Sequence, residues 1–599
     1  MNKAIKNRCE IDVQDTWNLA DIFATDADWK AEYDLCLADL PSLESYKGRL
    51  NSAENLLEFF RLFDTVDVRI SKLYSYANCS SDVDTTNGFY QDLRGKALAL
   101  VADVNKATSF YKNEILELDE SEIESFFLTC AELSEYKTPI FNIRRKKEHI
   151  LSEKEEKLLA AVGILADSPD NIAGVFRDAD LTFPPVLDKD GNSHALSQGT
   201  FVPLLESADR VLRKNTYDTY YTTLGGFKNT VAATLDAQFK TIKFYSDARR
   251  YKNTLSASLD ATRVPETVYH NLIESVHKNL NKMYDYVSLR KKVLGVESLA
   301  MYDVYTPIVS DFDREIPYSE AKQTVLDALS VLGDDYTEVL NTAFNNRWID
   351  VYENKGKRSG AYCSSNARPH PYVLLNQKDN LESMFTIAHE LGHAMHSYLS
   401  TKNQPVCTAD YVIFVAEVAS TVNEVLLMRY LLKNATEKAE KAYLLNHFLD
   451  QFKGTLFRQT MFAEFELKMG NLVESGATLT ADVLCEEYRK LNELYFGPDM
   501  QTDDNIALEW ARIPHFFYNY YVFQYATGFS AAVKIADNIL KNGARAAEQY
   551  KKFLSSGGSD APVELLKIAG VDMSTPEPID TALQLFGDTV KELEKLISE

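Results

Sequence analysis

Two histidines four residues apart constrain this chain more than any other feature, because they work together only on a helix. In Met384-Phe385-Thr386-Ile387-Ala388-His389-Glu390-Leu391-Gly392-His393-Ala394-Met395-His396-Ser397-Tyr398 the pattern His-Glu-x-x-His lies among apolar residues at helical spacing. At about 3.6 residues per turn, His389 and His393 stand one turn apart on the same face. Two imidazoles so placed can share one zinc ion. Glu390 lies about 100° around the helix, within reach of a metal-activated water. Only three residues define the pattern, but the chain has 10 histidines in 599 residues. A chance match is therefore on the order of one in a hundred. The competing reading is a core helix with hydrogen-bonded histidines.

Two histidines do not complete a catalytic zinc site, which uses three protein ligands and keeps a position open. Downstream, Glu417 and Glu424 lie in Tyr411-Val412-Ile413-Phe414-Val415-Ala416-Glu417-Val418-Ala419-Ser420-Thr421-Val422-Asn423-Glu424. Glu417 is embedded among apolar residues, and a carboxylate there is costly unless paired or metal-bound. Glu417, Ser420, Thr421 and Glu424 also form a polar stripe, for which a solvated face is the competing, less favoured reading. If the two apolar helices pair antiparallel, the stripe turns toward the histidines. We expect Glu417 as third ligand and Glu424 behind it, orienting an imidazole. Asn423-Glu424 has the look of the Asn-Glu ligand pair of thermolysin-type peptidases, so the reverse order stays open. His396 lies about 10 Å along the axis from His389, too far to share its ion readily. We read it as a supporting or structural histidine.

Composition bounds the rest. With 45% hydrophobic and 25% charged residues the chain is globular, and its length allows about four domains. A net charge of −24 argues against a nucleic-acid partner. No run of 18 or more apolar residues occurs, so no membrane span is expected. The start has no apolar run behind its basic residues and does not read as a secretory signal. The seven cysteines are scattered, without a Cys-x-x-Cys pair. They read as reduced thiols of a cytoplasmic protein, with cysteine ligation of metal not expected.

The first 175 residues read as helices. Leu56, Leu57, Phe59, Phe60, Leu62, Phe63, Val66, Ile70, Leu73 and Tyr74 recur near helical period and meet a polar turn at Ser80-Ser81-Asp82. Near 180 the texture changes. Leu181 to Leu187, Asp188-Lys189-Asp190-Gly191-Asn192 and His194 onward read as a hairpin around an Asp-Gly turn. We read Asp188 and Asp190 as turn residues rather than a calcium loop, since Gly191 comes too early and no Glu closes it. We place a boundary here: a helical domain over 1–180 and a catalytic domain over 181–599. Arg347 to Tyr352, Gly360 to Cys363 and Pro371 to Asn376 read as three strands, a small sheet just before the histidine helix. Val412 to Leu432, Leu444 to Met469 and Tyr518 to Leu540 read as helices.

Residues 515–525 hold His515, Tyr518, Tyr520, Tyr521 and Tyr525. On a helix, Tyr518, Val522, Tyr525 and Phe529 share one face with His515 nearby. Periodicity alone leaves two readings open: an aromatic core stripe, or phenol and imidazole donors that stabilise an oxyanion. His370, beside the third strand, reads equally as a substrate contact on an edge strand or as a structural loop histidine.

The chain resembles oligoendopeptidase F, a branch of the thimet-oligopeptidase-like zinc metallopeptidases. The resemblance runs nearly end to end. It covers Thr16 to Phe23, Gly360 to Cys363, Pro371 to Asn376 and His389 to His396. It continues through Glu417-Val418-Ala419-Ser420, Ile513 to Tyr521 and Tyr525-Ala526-Thr527-Gly528. It implies a mostly α, two-lobed helical metallopeptidase with a deep channel and a small β-sheet beside the zinc helix. It implies one Zn²⁺ per chain on His389, His393 and Glu417, with Glu390 as general base and His515, Tyr518 and Tyr525 near the metal. The implied substrates are short peptides, cut at internal bonds, because a buried channel excludes folded proteins.

Overall fold

The computed structural model describes residues 5–309, 314–365 and 368–598. The fold is mostly α, with 72% of the chain helical and a few very short strands. It divides into two compact units, each assembled from three stretches of chain. The first comprises Met1–Lys147, Asp313–Leu427 and Ile535–Gly570; the second comprises Glu148–Phe312, Met428–Lys534 and Val571–Glu599. The position expected to separate two domains, 180, lies inside the first stretch of the second unit.

In the first unit, helices Asp26–Glu44, Ala53–Asp82 and Gly88–Ala107 pack together. Each begins at a residue suited to cap it: Thr25 with Asp28 in a capping box, Ser52 and Asn87. Most of the apolar stripe is core: Leu56, Leu57, Phe59, Phe60, Val66, Ile70 and Leu73 are buried, Leu62 and Phe63 partly so, while Tyr74 at its end is exposed. Ser80-Ser81-Asp82 differs from expectation. These residues are the buried last turn of the helix, not a surface turn. Asp82 is held there by the Tyr362 hydroxyl at 2.7 Å and the Arg358 guanidinium at 3.4 Å. Partners nearly 280 positions away supply what local sequence lacks.

The expected sheet exists with shorter strands: Ile349–Asp350, Tyr362–Ser364 and Tyr372–Leu374. The last is central, parallel to the first and antiparallel to Tyr362–Ser364, which is an edge. Trp17 ties the N-terminal segment to it, donating Nε1–H to Val373 O at 2.8 Å and its amide to Asp350 at 3.2 Å. Asp350 is buried between Arg8 and Lys357, whose charges hold its carboxyl below the usual range against the effect of burial. This sheet supports one side of the histidine helix, Leu381–Asn403.

The second unit opens with a helical run over Lys154–Asp180, long and apolar enough on length and composition alone to cross a membrane. It carries Asp167 and Asp170 at mid-length, where a bilayer would penalise charge. The hairpin follows, Val186–Leu187 against Ser193–His194. Asp188 closes its turn, accepting from His194 Nε2, from the Asn192 side chain and from the amides of Asp190 and Asn192. Those bonds hold its carboxyl well below the ordinary range. The helix expected over 444–469 is two helices, Lys438–Gln451 and Arg458–Glu474, joined by a π-helical turn at Phe452–Phe457.

Candidate metal centre

Asn380 starts the histidine helix by accepting the Ser383 amide at 2.9 Å. Met384, Ile387, Ala388, Leu391, Ala394 and Met395 bury one side of it. The helix Ile413–Asn434 crosses it at unusually short range. A Cβ on Gly392 would fall 2.5 Å from Ser420 Cα and 2.6 Å from Ala419 O, so only glycine permits this approach. Asn423 fastens the crossing, donating Nδ2–H to Ala388 O at 3.0 Å while accepting from the Tyr336 hydroxyl at 3.2 Å.

The crossing brings together His389, His393 and Glu417, whose donor atoms form a compact metal-capable group among the described residues. The two Nε2 atoms are 3.2 Å apart, and each lies 3.4 Å from Glu417 Oε2. Ligands on a tetrahedral ion at bond lengths of about 2.0–2.1 Å lie roughly 3.3–3.4 Å from one another. The nearly equilateral triangle therefore fits one zinc-sized ion. Glu417 keeps 40% of its side chain exposed, so solvent reaches the group. Ser420 Oγ–H steadies the Glu417 carboxylate at 3.0 Å.

Glu424 stands behind this triangle. It hydrogen-bonds His389 Nδ1, opposite the ring atom that faces Glu417. Burial disfavours charge on His389, yet Glu424, Glu390 and Glu417 push its pKa up to about 9. Burial raises Glu417, but the His393 and His389 rings more than reverse this and hold it at about 2. The same carboxylates that attract a proton to these rings would attract a divalent cation in its place. Glu390 is 6% exposed, with Oε2 lacking a hydrogen-bond partner among the described residues. Burial pushes its pKa up; the histidines oppose the shift, and the neighbouring carboxylates add to it.

His396 and His370 are enclosed by packing. His396 is buried flat against Tyr411, ring centroids 3.6 Å apart, and tilted against Phe553. Burial and the nearby His393 lower its pKa to about 3, so the ring is neutral. His370 is buried in a stack on Trp348 at 4.4 Å, with Nδ1 at Pro371 O and Nε2 at Asp21. Its ring is enclosed, which settles the choice for a loop histidine.

His515, Tyr518 and Tyr525 belong to the second unit and cluster there. His515 lies 5.6 Å from Tyr518 and 6.0 Å from Tyr525, ring centre to ring centre. Tyr521 completes the group, 5.3 Å from Tyr525. The expected helix through Tyr518 is absent. The helix begins at Phe523, and His515 sits in a 3₁₀ turn over Pro514–Phe517. Asn519 and Tyr520 have positive φ, which no continuing α-helix accommodates. Tyr518 is 48% exposed, so a wholly buried aromatic stripe is ruled out. Burial and the Arg177 charge lower the His515 pKa.

The sequence pattern of peptidase family M3 matches residues 203–585, and that of oligopeptidase F matches residues 114–183.
The chain belongs to peptidase family M3.
This M3 peptidase is 44% identical to oligopeptidase PepF of Bacillus subtilis (strain 168), over 99% of its own length and 89% of that protein. It is 40% identical to group B oligopeptidase PepB of Streptococcus agalactiae serotype III (strain NEM316), over 99% of each chain. The crystal structure of oligoendopeptidase-F from Enterococcus faecium is 37% identical and aligns with a TM-score of 0.73, over 96% of this chain and 99% of that one. The protein thus falls in the oligoendopeptidase F branch and is a metallopeptidase. The sequence reading gave Gly392 no role and took Asn423 only as half of an Asn-Glu pair, yet the two join the metal-site helices. A glycine between the two histidines of an otherwise apolar helix was the available signal for close helix contact.

Proposed function

We propose that this M3 peptidase is a zinc-dependent endopeptidase of short oligopeptides, with His389, His393 and Glu417 as ligands and Glu390 as general base. The observation that carries the reading is the donor triangle beside Glu390 on the same helix, whose Oε2 is unbonded among the described residues. Two imidazoles and a carboxylate suit zinc and leave a position open. When bound, zinc supplies a Lewis acid that acidifies water and polarises a peptide carbonyl. Glu390 takes the proton of the attacking water and returns it to the leaving amine. Burial raises its pKa, which favours its holding the proton between the two transfers. Glu424 accepts the His389 Nδ1–H, which fixes the tautomer and turns Nε2 toward the ligand position.

The oxyanion formed by water attack needs donors, and we assign that role to His515, Tyr518 and Tyr525. Their mutual packing, the exposure of Tyr518 and the resemblance to oligoendopeptidase F support the assignment. The restriction to short peptides rests on that resemblance. A cytoplasmic location, without membrane or nucleic-acid partners, rests on charge and cysteine pattern.

An internally quenched peptide blocked at both ends tests the reading. The zinc-loaded enzyme should cleave it, a chelator should abolish cleavage, and stoichiometric Zn²⁺ should restore it. Glu390→Gln should keep its zinc and lose about 10²–10⁴ in rate. Cleavage only of peptides with a free end would make the enzyme an exopeptidase. Near-normal turnover by zinc-loaded Glu390→Gln would remove the general base.

A further inference from the structure

The turn between His515 and the helix at Phe523 is built in a costly conformation. Asn519 and Tyr520 have φ of 55° and 61°, left-handed backbone that L-residues rarely adopt and an aromatic one still less. Such backbone persists only where its surroundings over-determine it, and it concentrates at functional sites.

The determinants of this turn can be traced atom by atom within the second unit. The Tyr520 amide donates to Oε1 of the fully buried Glu466 at 2.9 Å. The Tyr520 hydroxyl pairs with Thr254 Oγ1 at 2.7 Å. Thr254 donates its own hydroxyl to Glu474 Oε1 at 2.6 Å, so the phenol is the donor in the pair with Tyr520. Gly470, inside the helix Arg458–Glu474, forms the seat. A Cβ there would stand 1.8 Å from the phenol oxygen. Tyr269 and Phe239 meet the ring edge-on at 6.0 and 6.2 Å. Gln238 Nε2 closes the other side, donating to Phe517 O at 3.0 Å and Asn519 Oδ1 at 2.9 Å. Tyr520 is 2% exposed, whereas its neighbour Tyr518 is half exposed. A purely structural aromatic would need none of this, since a helix continued through 518–525 could bury a ring with no backbone strain.

We propose that Tyr520 is a positioning residue: a buried pin, seated on Gly470 and held by Thr254 and Glu466, that fixes the turn presenting His515, Tyr518 and Tyr521. Tyr520 itself does not meet substrate. The inference rests on the reading that this aromatic cluster serves the oxyanion.

The test uses the full-length zinc-loaded enzyme. Gly470→Ala obstructs the seat, Tyr520→Phe removes only the phenol oxygen, and Glu466→Ala removes the acceptor of the Tyr520 amide. Misplacement of a reacting group by about 1 Å costs up to roughly 10²-fold, so Gly470→Ala and Glu466→Ala should lower kcat by about 10–100-fold with KM little changed. Tyr520→Phe should lower it in the same direction by less, and Glu466→Gln, which keeps an acceptor, should recover most of the Glu466→Ala loss. Deuterium uptake at the 518–523 amides should rise in Gly470→Ala while zinc content stays at the wild-type value. In a Tyr518→Phe background, Gly470→Ala should cost clearly less than it does alone, because one of the groups the pin presents is already removed. Folded Gly470→Ala and Tyr520→Phe enzymes with wild-type kcat, or fully additive losses, would overturn the pin alone. An unchanged kcat in Tyr518→Phe would overturn the oxyanion role of Tyr518, and the pin with it.

Discussion

Gly392→Ala tests whether the spacing of two helix backbones sets the donor triangle. The added Cβ would stand 2.5 Å from Ser420 Cα, 2.6 Å from Ala419 O and 2.7 Å from Ser420 N. Carbon atoms rest about 3.5–4.0 Å apart, so the helices must separate by roughly 1 Å. The obstructing atoms are backbone, and no change of rotamer relieves the contact. Glu417 precedes Ser420 by one turn and moves with it. Its 3.4 Å separations from the two imidazole nitrogens would lengthen by much of that 1 Å displacement, against the roughly 0.2 Å tolerance of a metal site. Zinc affinity should therefore fall by at least the roughly 10–100-fold that follows loss of a supporting residue. Overpacking costs about 1–3 kcal/mol, and alanine in place of glycine in a helix returns about 1 kcal/mol. Metal loss should thus be large while the melting temperature of the metal-free protein changes modestly. Competition against a chromophoric chelator measures the first, and thermal unfolding by circular dichroism measures the second. A folded variant with wild-type zinc affinity would refute the claim that backbone spacing sets the site.

Two further perturbations separate neighbouring roles. Glu417→Ala should empty the metal site, whereas Glu424→Ala should weaken zinc by about 10–100-fold, read by elemental analysis after dialysis; the opposite order would exchange the two roles. Glu509 is buried between Arg458 at 2.6 Å and Arg512 at 2.8 Å, with the Tyr488 hydroxyl at 2.6 Å. Burial raises its pKa, but these partners reverse that and hold it at about 2. A depressed carboxyl stabilises the fold fully above its unfolded pKa of about 4.3, and that stabilisation is lost as pH falls toward 2. The stability difference between wild type and Glu509→Gln, from urea unfolding, should therefore shrink between about pH 4.5 and 2. A difference independent of pH would show that the carboxylate charge contributes nothing.

The metal centre was largely legible because its logic is local. His389 and His393 share a helix face by spacing alone, and Glu417 stood out as a carboxylate among apolar residues. Glu417 ranked ahead of Glu424 on its apolar surroundings and on the family resemblance, while spacing alone left the reverse order open. The order depends on where two helices cross, and Gly392 decides that. Ser80-Ser81-Asp82 looked like a turn because the partners of Asp82, Tyr362 and Arg358, are remote in sequence. Tyr518 failed for the same reason. Its periodicity was helical, but Glu466 and Gln238 hold the following residues in a conformation that local propensity opposes. The N-terminal boundary followed composition, whereas the compact units follow a chain that enters each of them three times.

That threading imposes a schedule on biosynthesis. The opening stretch of the first unit ends at Lys147, and its closing stretch begins only at Ile535, roughly 390 residues later. Contacts such as Thr138 Oγ–H to Ser559 O, 421 positions apart, cannot form before then. At about 5–20 residues per second, the first unit stays incomplete for roughly 20–80 s after its opening stretch has been made. For a cell making this peptidase, that interval is the period of greatest exposure to aggregation and to its own proteases.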